Sequence, residues 1–290
     1  MSKRFLLIVT MLLLPLNSLA ADQISSRFET QIRELERKNG GRIGVSALNT
    51  ATNQRLDYRG DERFALCSTF KLLLVAAVLA RVDDRTENLQ RVISYTAADI
   101  LEYAPITRKN LQTGKMTIAD LSAAAIQYSD NTAANLLFKT IGGPEGLTRY
   151  IRSLADTTTQ MDRIEPDLNT NQANDKRDTT TPSAMMMIMQ KLLIENTLSP
   201  SSKQQLIAWL IGNTTGDSKL RAGVNSRWKI GDKTGAGDNG ASNDVAIIWP
   251  PDQKPLLVAA YYSESTLSTE EKNAVIAQIG RIVSNALYKK

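Results

Sequence analysis

The hydrophobic period of this chain changes twice. "RIGVSALNT" and "RLDYRG" alternate apolar and polar residues around a turn at Asn49 to Asn53, as half-buried strands of a hairpin do. From Thr69 to about Trp209 helical spacing takes over and alanine, leucine and methionine accumulate, as in "TIADLSAAAIQY" and "PSAMMMIMQKLLI". Beyond it, "WKIGDKTGAG", "NDVAIIWP" and "PLLVAAYYS" are again short β-type runs bounded by Gly, Pro and Asp. The simplest way to bury the strands at both ends is to join them in one sheet and insert the helical block between them. No βαβ alternation is present, so the sheet is expected to be antiparallel.

Helices at the two ends are available to cover that sheet. Residues 23 to 38 place Ile24, Phe28, Ile32 and Leu35 on one face and Glu34 and Lys38 on the other, and Gly40-Gly41 stops them. Ser268 with Glu271 three residues later is a capping box opening a last helix through Ile276, Ile279 and Val283. The expected fold is of the α/β class (α+β type): an antiparallel five-stranded sheet flanked by the N- and C-terminal helices, plus an inserted all-helical lobe. The α/β lobe is expected to comprise 22–66 and 212–290, and the helical lobe 67–211. Within the latter, "MDRIEPDLNTNQANDKRDTTTP" at 161–182 has neither period, and structureless connections of such length are usually functional or disordered.

The first residues, "MSKRFLLIVTMLLLPLNSLA", run from a basic head through an apolar core to small residues, the order of a signal peptide covering 1–20 with cleavage after Ala20 or Ala21. The apolar run is shorter than the about 20 residues a membrane span needs. Export to the periplasm of a Gram-negative bacterium is expected, with no membrane attachment after cleavage. Formal charge is +5, or +3 without Lys3 and Arg4, and the charges are interspersed as in "RELERKNGGR". That is a solvated surface rather than a nucleic-acid footprint. Cys67 is the only cysteine, so no intramolecular disulfide can form, and stability must come from the core.

The chain contains no histidine, so any serine nucleophile must be activated without imidazole. Ser68 and Lys71, in "ALCSTFKLLLVAAVLA", stand three residues apart where an apolar helical run begins. On a helix they share a face, and a desolvated lysine can accept a proton. Alone, the spacing also fits a helix cap. Ser129-Asp130-Asn131 follows a helical run and reads equally as a turn or N-cap before "TAANLLFKTI". Lys233-Thr234-Gly235 lies in a β-type run whose glycines permit close approach of a ligand, or simply end a strand.

Together, in this order and spacing, the three motifs resemble the signature of the penicillin-recognising serine enzymes. "DRIEPDLN", with Glu165 and Asn169, resembles the omega-loop motif of the class A serine β-lactamases within that superfamily. Tyr103 with Pro105, Asn135 in "SDNTAANLL", "RDTTTP" at 177–182 and "NDVAIIWP" extend the resemblance over residues 22 to 290.

The resemblance implies hydrolysis of the β-lactam amide of penicillins and cephalosporins through an acyl-enzyme, in a site between the lobes, with no metal or cofactor. It implies a small-molecule partner and a monomer. Ser68 would attack, with Lys71 as base or relay, and Ser129 would pass a proton to the leaving nitrogen. Backbone N–H groups of Ser68 and Ala236 would form the oxyanion hole. Glu165 with Asn169 would activate the water that frees the acyl group, and whether Lys71 or Glu165 starts acylation stays open. Tyr103, Asn131, Lys233, Thr234, Gly235 and Ala236 would hold substrate, with Asn171, Gly237 and Asp238 lining the pocket. Arg163 and Asp178 would pin the loop, and the bond before Pro166 is expected to be cis.

Two departures stand out. Gly237 occupies the place where some carbapenem-hydrolysing relatives bridge a second cysteine to the one matching Cys67. The strand after Lys233-Thr234-Gly235 lacks the arginine that many relatives use to read the substrate carboxylate, leaving Lys219 or Arg221 as substitutes. Two rivals share the serine and lysine: a penicillin-binding D,D-peptidase, against which Glu165 and Asn169 argue, and a sensor acylated once, which needs a membrane segment or partner domain.

Overall fold

The computed structural model describes residues 16–288, with side chains from residue 22 onward. Residues 1–15 of the expected signal peptide therefore lie outside the described residues. Helix α1 (Leu16–Asn39) leads into strands β1 (Arg42–Asn49) and β2 (Arg55–Tyr58). The helical block follows: α2 (Phe70–Asp83), α3 (Ile118–Gln127), α4 (Asn131–Ile141), α5 (Gly143–Ser153), α6 (Pro182–Leu193) and α7 (Pro200–Ile211). The chain then returns as β3 (Lys229–Ala236), β4 (Ser242–Trp249) and β5 (Leu256–Ser263) and ends in α8 (Thr269–Leu287).

The two ends do meet in one antiparallel sheet of five strands, ordered β2-β1-β5-β4-β3. Its central strand, β5, explains why "LLVAAYYS" lacks alternation: every residue is buried because both sheet faces are covered. Leu256, Val258, Ala260 and Tyr262 face a core completed by Phe28 and Ile32 of α1 and Val275, Ile276 and Ile279 of α8. Leu257, Ala259 and Tyr261 face the opposite way, into a core shared with the helical block. The register of one residue per face follows from the two-residue period of a strand.

Helix α2 lies at the centre of the second core. Residues Phe70 to Leu79 are buried all round, so the helix shows no wet face, as expected of a segment that is apolar on every side. Phe70 stacks on Phe138 of α4 with ring centroids 5.3 Å apart. Ser268 and Glu271 form the expected capping box on α8.

Helix α1 differs from expectation in beginning at Leu16 rather than 23, since leucine and alanine there favour helix. The helical stretch also holds a two-stranded ladder, Val92–Ser94 with Lys115–Thr117, too short for any period to announce. Among the described residues no helix is long and apolar enough to cross a membrane.

Candidate active site

A cleft of about 500 Å³ opens where the helical block meets the edge strand β3. Its helical side is lined by Ser68, Tyr103, Ser129, Asn131 and Asn169, and its sheet side by Thr234, Gly235, Ala236 and Gly237. Ser68 sits in a 3-10 turn, Cys67–Thr69, that feeds directly into α2. This places Lys71 in the first turn of a buried helix, with its side chain 0% exposed.

Five oxygens surround the Lys71 amine. Nζ lies 2.7 Å from Ser68 Oγ, 2.6 Å from Asn131 Oδ1, 2.7 Å from Glu165 Oε1, 3.1 Å from Ser129 O and 3.5 Å from Ser129 Oγ. An ammonium has three protons to give. The acceptors outnumber the donors, and Ser68, Ser129 and Glu165 all lie within reach of this one amine.

Ser129 reaches the cleft from the turn between α3 and α4. Its hydroxyl accepts from Lys233 Nζ at 3.1 Å, which ties the second motif to the third. Asp130 caps α4 by accepting from Ala133 N and also accepts from Ile106 N, Thr107 N and the Thr107 hydroxyl. That buried carboxylate holds the segment after Tyr103 against the turn, and Asn131 N donates to Tyr103 O at 3.1 Å. Tyr103 itself stands 53% exposed at the rim. Cys67 and Ser129 both take left-handed backbone, with φ of 43° and 56°. For non-glycine residues such strain costs of order 1–3 kcal/mol each and concentrates at functional sites.

Lys233 is fully buried, and its other bond goes to Thr234 O at 2.8 Å. Burial, reinforced by the charge of Lys71, holds its amine well below the usual lysine range. The Thr234 hydroxyl contacts that of Thr215 at 2.5 Å. Ala236 ends β3 beside Gly237, where an added Cβ would lie 2.7 Å from both Asn169 O and Cys67 Sγ, so only glycine fits. Cys67 is a free, buried thiol whose pKa burial pushes up to about 12.

The 161–182 segment is ordered by tertiary anchors rather than by any period of its own. Asp178, buried, accepts from the backbone N–H groups of Asp162 and Arg163 at 2.8 and 2.9 Å and from Arg163 Nε at 2.5 Å. Leu168, fully buried, plugs a 3-10 turn at Asp167–Asn169, and Thr179–Thr180 pairs with Phe64–Ala65. Glu165 is fixed at its backbone by Asn135 on α4, which both donates to its carbonyl and accepts from its N–H. Asn169 Nδ2 donates to Glu165 Oε2 at 2.5 Å, leaving Asn169 Oδ1 buried without a partner. The Glu165–Pro166 peptide is cis.

The structure thus gathers Ser68, Lys71, Ser129, Asn131, Glu165 and Lys233 into one hydrogen-bonded cluster and lines the cleft beside it with Tyr103, Asn169, Thr234, Gly235 and Ala236. Arg221 is drawn away, pairing with Asp232 and Asp217 below the strand. Lys219 lines the cleft. Thr215, Thr269, Lys272 and Asn273 line it as well, and nothing local in the sequence marks them. No group of His, Cys, Asp and Glu able to hold a metal occurs among the described residues.

A sequence model of the β-lactamase enzyme family matches residues 27–287. The chain is 46% identical to the β-lactamase OXY-2 of Klebsiella oxytoca, over 89% of this chain and 88% of that one. It is 43% identical to the β-lactamase Toho-1 of Escherichia coli, again over 89% and 88%. Among solved structures it is similar to the class A β-lactamase of the last common ancestor of Gram-negative bacteria, with TM-score 0.89, 53% identity, and coverage of 90% of this chain and 99% of that one. A putative class A β-lactamase from Rhodopseudomonas palustris superposes with TM-score 0.88 at 48% identity, covering 90% and 99%.

Proposed function

This chain belongs to the class A serine β-lactamases, and on that premise we propose how its residues divide the work of opening a β-lactam and releasing it. It is a hydrolase of the β-lactam amide bond and confers antibiotic resistance. Ser68 Oγ attacks the lactam carbonyl and forms the acyl-enzyme. The backbone N–H groups of Ser68 and Ala236 receive the developing oxyanion, where one such donor is typically worth about 10²–10³ in rate. Lys71 takes the serine proton directly or passes it to Glu165, and both lie 2.7 Å or closer along that path. Ser129, held by Lys233, returns a proton to the lactam nitrogen as the bond breaks.

Release is the work of Glu165 with Asn169. The buried, unpartnered Asn169 Oδ1 and the Glu165 carboxylate offer two acceptors to a water directed at the acyl carbon. Lys233 and Thr234 bind the substrate carboxylate, and Asn131, Tyr103, Gly235 and Ala236 hold its side chain and ring. Penicillins and cephalosporins are the substrates we propose. A D,D-peptidase would hold its penicillin acyl group for a long time and a sensor would be acylated once, and the buried Glu165 carboxylate beside Asn169 favours the hydrolase.

The observation that carries the division is the buried Lys71 amine lying between Ser68 Oγ and Glu165 Oε1. Ser68→Ala should abolish turnover and covalent labelling by penicillin while the protein stays folded. A penicillin adduct on that variant, seen by mass spectrometry, would remove Ser68 from its role.

We place the mature chain in the periplasm, supported by the export-type N-terminus and by similar enzymes in Klebsiella and Escherichia, and propose a monomer on the family resemblance alone. The reading of two lobes, 22–66 with 212–290 and 67–211, is supported by the separate core that α1 and α8 build on one sheet face.

A further inference from the structure

The two N–H groups assigned to the oxyanion hole come from separate segments, the 3-10 turn at Ser68 and the end of β3 at Ala236. Their spacing must be held to a fraction of an ångström, since a misplacement of about 1 Å can cost about 10² in rate. The ladder between β3 and β4 alone cannot do this, because the turn at Ser68 belongs to neither strand.

One buried side chain, Asn243, bridges the gap, and a second, Lys219, locks β3 to the stretch of β4 that carries it. Asn243, on β4, is paired in register with Gly235, the residue before Ala236. Its Nδ2 donates to Ala65 O at 2.9 Å and to Leu66 O at 3.3 Å, the carbonyls just ahead of Cys67 and Ser68. Lys219 reaches the same place from the turn before the short helix Leu220–Gly223. Its Nζ donates to Gly235 O at 3.0 Å, Asn243 O at 3.1 Å and Ser242 Oγ at 2.9 Å. All three ammonium protons are committed to β3 and β4. The approach is also close: a Cβ on Gly235 would stand 3.1 Å from Leu66 O and 3.3 Å from Asn243 Nδ2.

Accepting the reading of Ser68 and Ala236 as oxyanion donors, we propose that Asn243 and Lys219 are the positioning residues of that hole: Asn243 fixes β4 to the segment before Ser68, and Lys219 fixes the carbonyl next to Ala236 to the same stretch of β4. Neither touches the reacting atoms. Each acts through the spacing of the two donors.

Lys219 gives this device a pH dependence. Burial pulls its pKa down to about 8, against the attraction of Asp244 on β4 and Asp232 on β3 and with the repulsion of Lys272 on α8, while the thiol of Cys67 also faces it from the turn. Lys233, also on β3, is a further cation facing it. Burial, with the charge of Asp232, raises the carboxyl of Asp244 well above the usual carboxylate range, and Leu220 N donates to its Oδ2 at 3.1 Å. Below pH 8 the ammonium satisfies three acceptors. As pH rises through that value the neutral amine keeps two donors for the carbonyls of Gly235 and Asn243 and meets the Ser242 hydroxyl as an acceptor, so the bonds lose their charge assistance and the hold weakens.

The test is the single-turnover acylation rate with a good penicillin from pH 6 to 10, for the unaltered enzyme and for Lys219→Met, Lys219→Arg and Asn243→Ala, with melting curves as the control for folding. The expected result is an alkaline fall near pH 8 in the unaltered enzyme, displaced upward in Lys219→Arg, where the charge persists. Lys219→Met and Asn243→Ala should acylate about 10- to 100-fold more slowly with the dissociation constant of the initial complex little changed. Equal acylation rates in the folded variants would overturn the proposal. So would a profile of the unaltered enzyme flat to pH 10, or one unmoved by Lys219→Arg, results that stand even if Lys219→Met fails to fold. Failure of the unaltered enzyme to label Ser68 would instead remove the reading of the site on which this rests.

Discussion

The two walls of the cleft are built on different principles. The helical wall gathers Ser68, Lys71, Ser129, Asn131 and Glu165 from separate segments and joins them through side-chain hydrogen bonds centred on one amine. The sheet wall is one strand, Lys229–Ala236, whose backbone is held along its whole length by β4. The first is a network of side-chain contacts in which acceptors outnumber donors around one amine. The second is a backbone ladder, which fixes where Lys233, Thr234 and Ala236 stand. A side-chain network and a backbone ladder thus face each other across the cleft.

Breaking the helical wall at its centre should have the largest effect. Lys71→Met leaves Ser68, Asn131 and Glu165 without their shared donor and should lower the acylation rate by about 10²–10⁴, the usual worth of a general base. Stopped-flow acylation measures this, and a loss below tenfold would mean that Glu165 reaches Ser68 without the amine. Disturbing the support of the wall should cost less. Arg163→Ser removes one partner of buried Asp178 while its two backbone donors remain. A local destabilisation of about 1–3 kcal/mol is expected for an ionised group that loses a hydrogen bond. Hydrogen exchange and proteolysis over 161–182 should rise while exchange in β3 and β5 stays unchanged. Equal change in both regions would mean that the walls are not independent.

What the sequence disclosed follows the same division. Elements stabilised locally were legible: the hairpin at Asn49 to Asn53, the capping box at Ser268, and the three motifs, each within four residues. Elements fixed by distant partners were not. Asp130 reads as part of a turn, yet its carboxylate also holds Ile106 and Thr107, more than 20 residues away. The 161–182 segment shows no period because it is held by a clamp between its own ends at Asp178, by the burial of Leu168 and by Asn135 from outside. Lys219 and Asn243 carry no local signature, and their significance comes from strands that meet only after folding.

The central claim is that one cleft both makes and breaks the acyl-enzyme, with Glu165 essential to the second step. Glu165→Ala removes the only carboxylate bonded to Lys71 among the described residues and the partner of Asn169. Mixed with excess penicillin, the variant should give a burst of about one equivalent of product and then nearly stop, the kinetic sign of an accumulating covalent intermediate. A mass increase of one intact penicillin should persist on the peptide containing Ser68. Continuous turnover at the parent rate, with no adduct trapped, would contradict the account and place the activation of water elsewhere in the cleft.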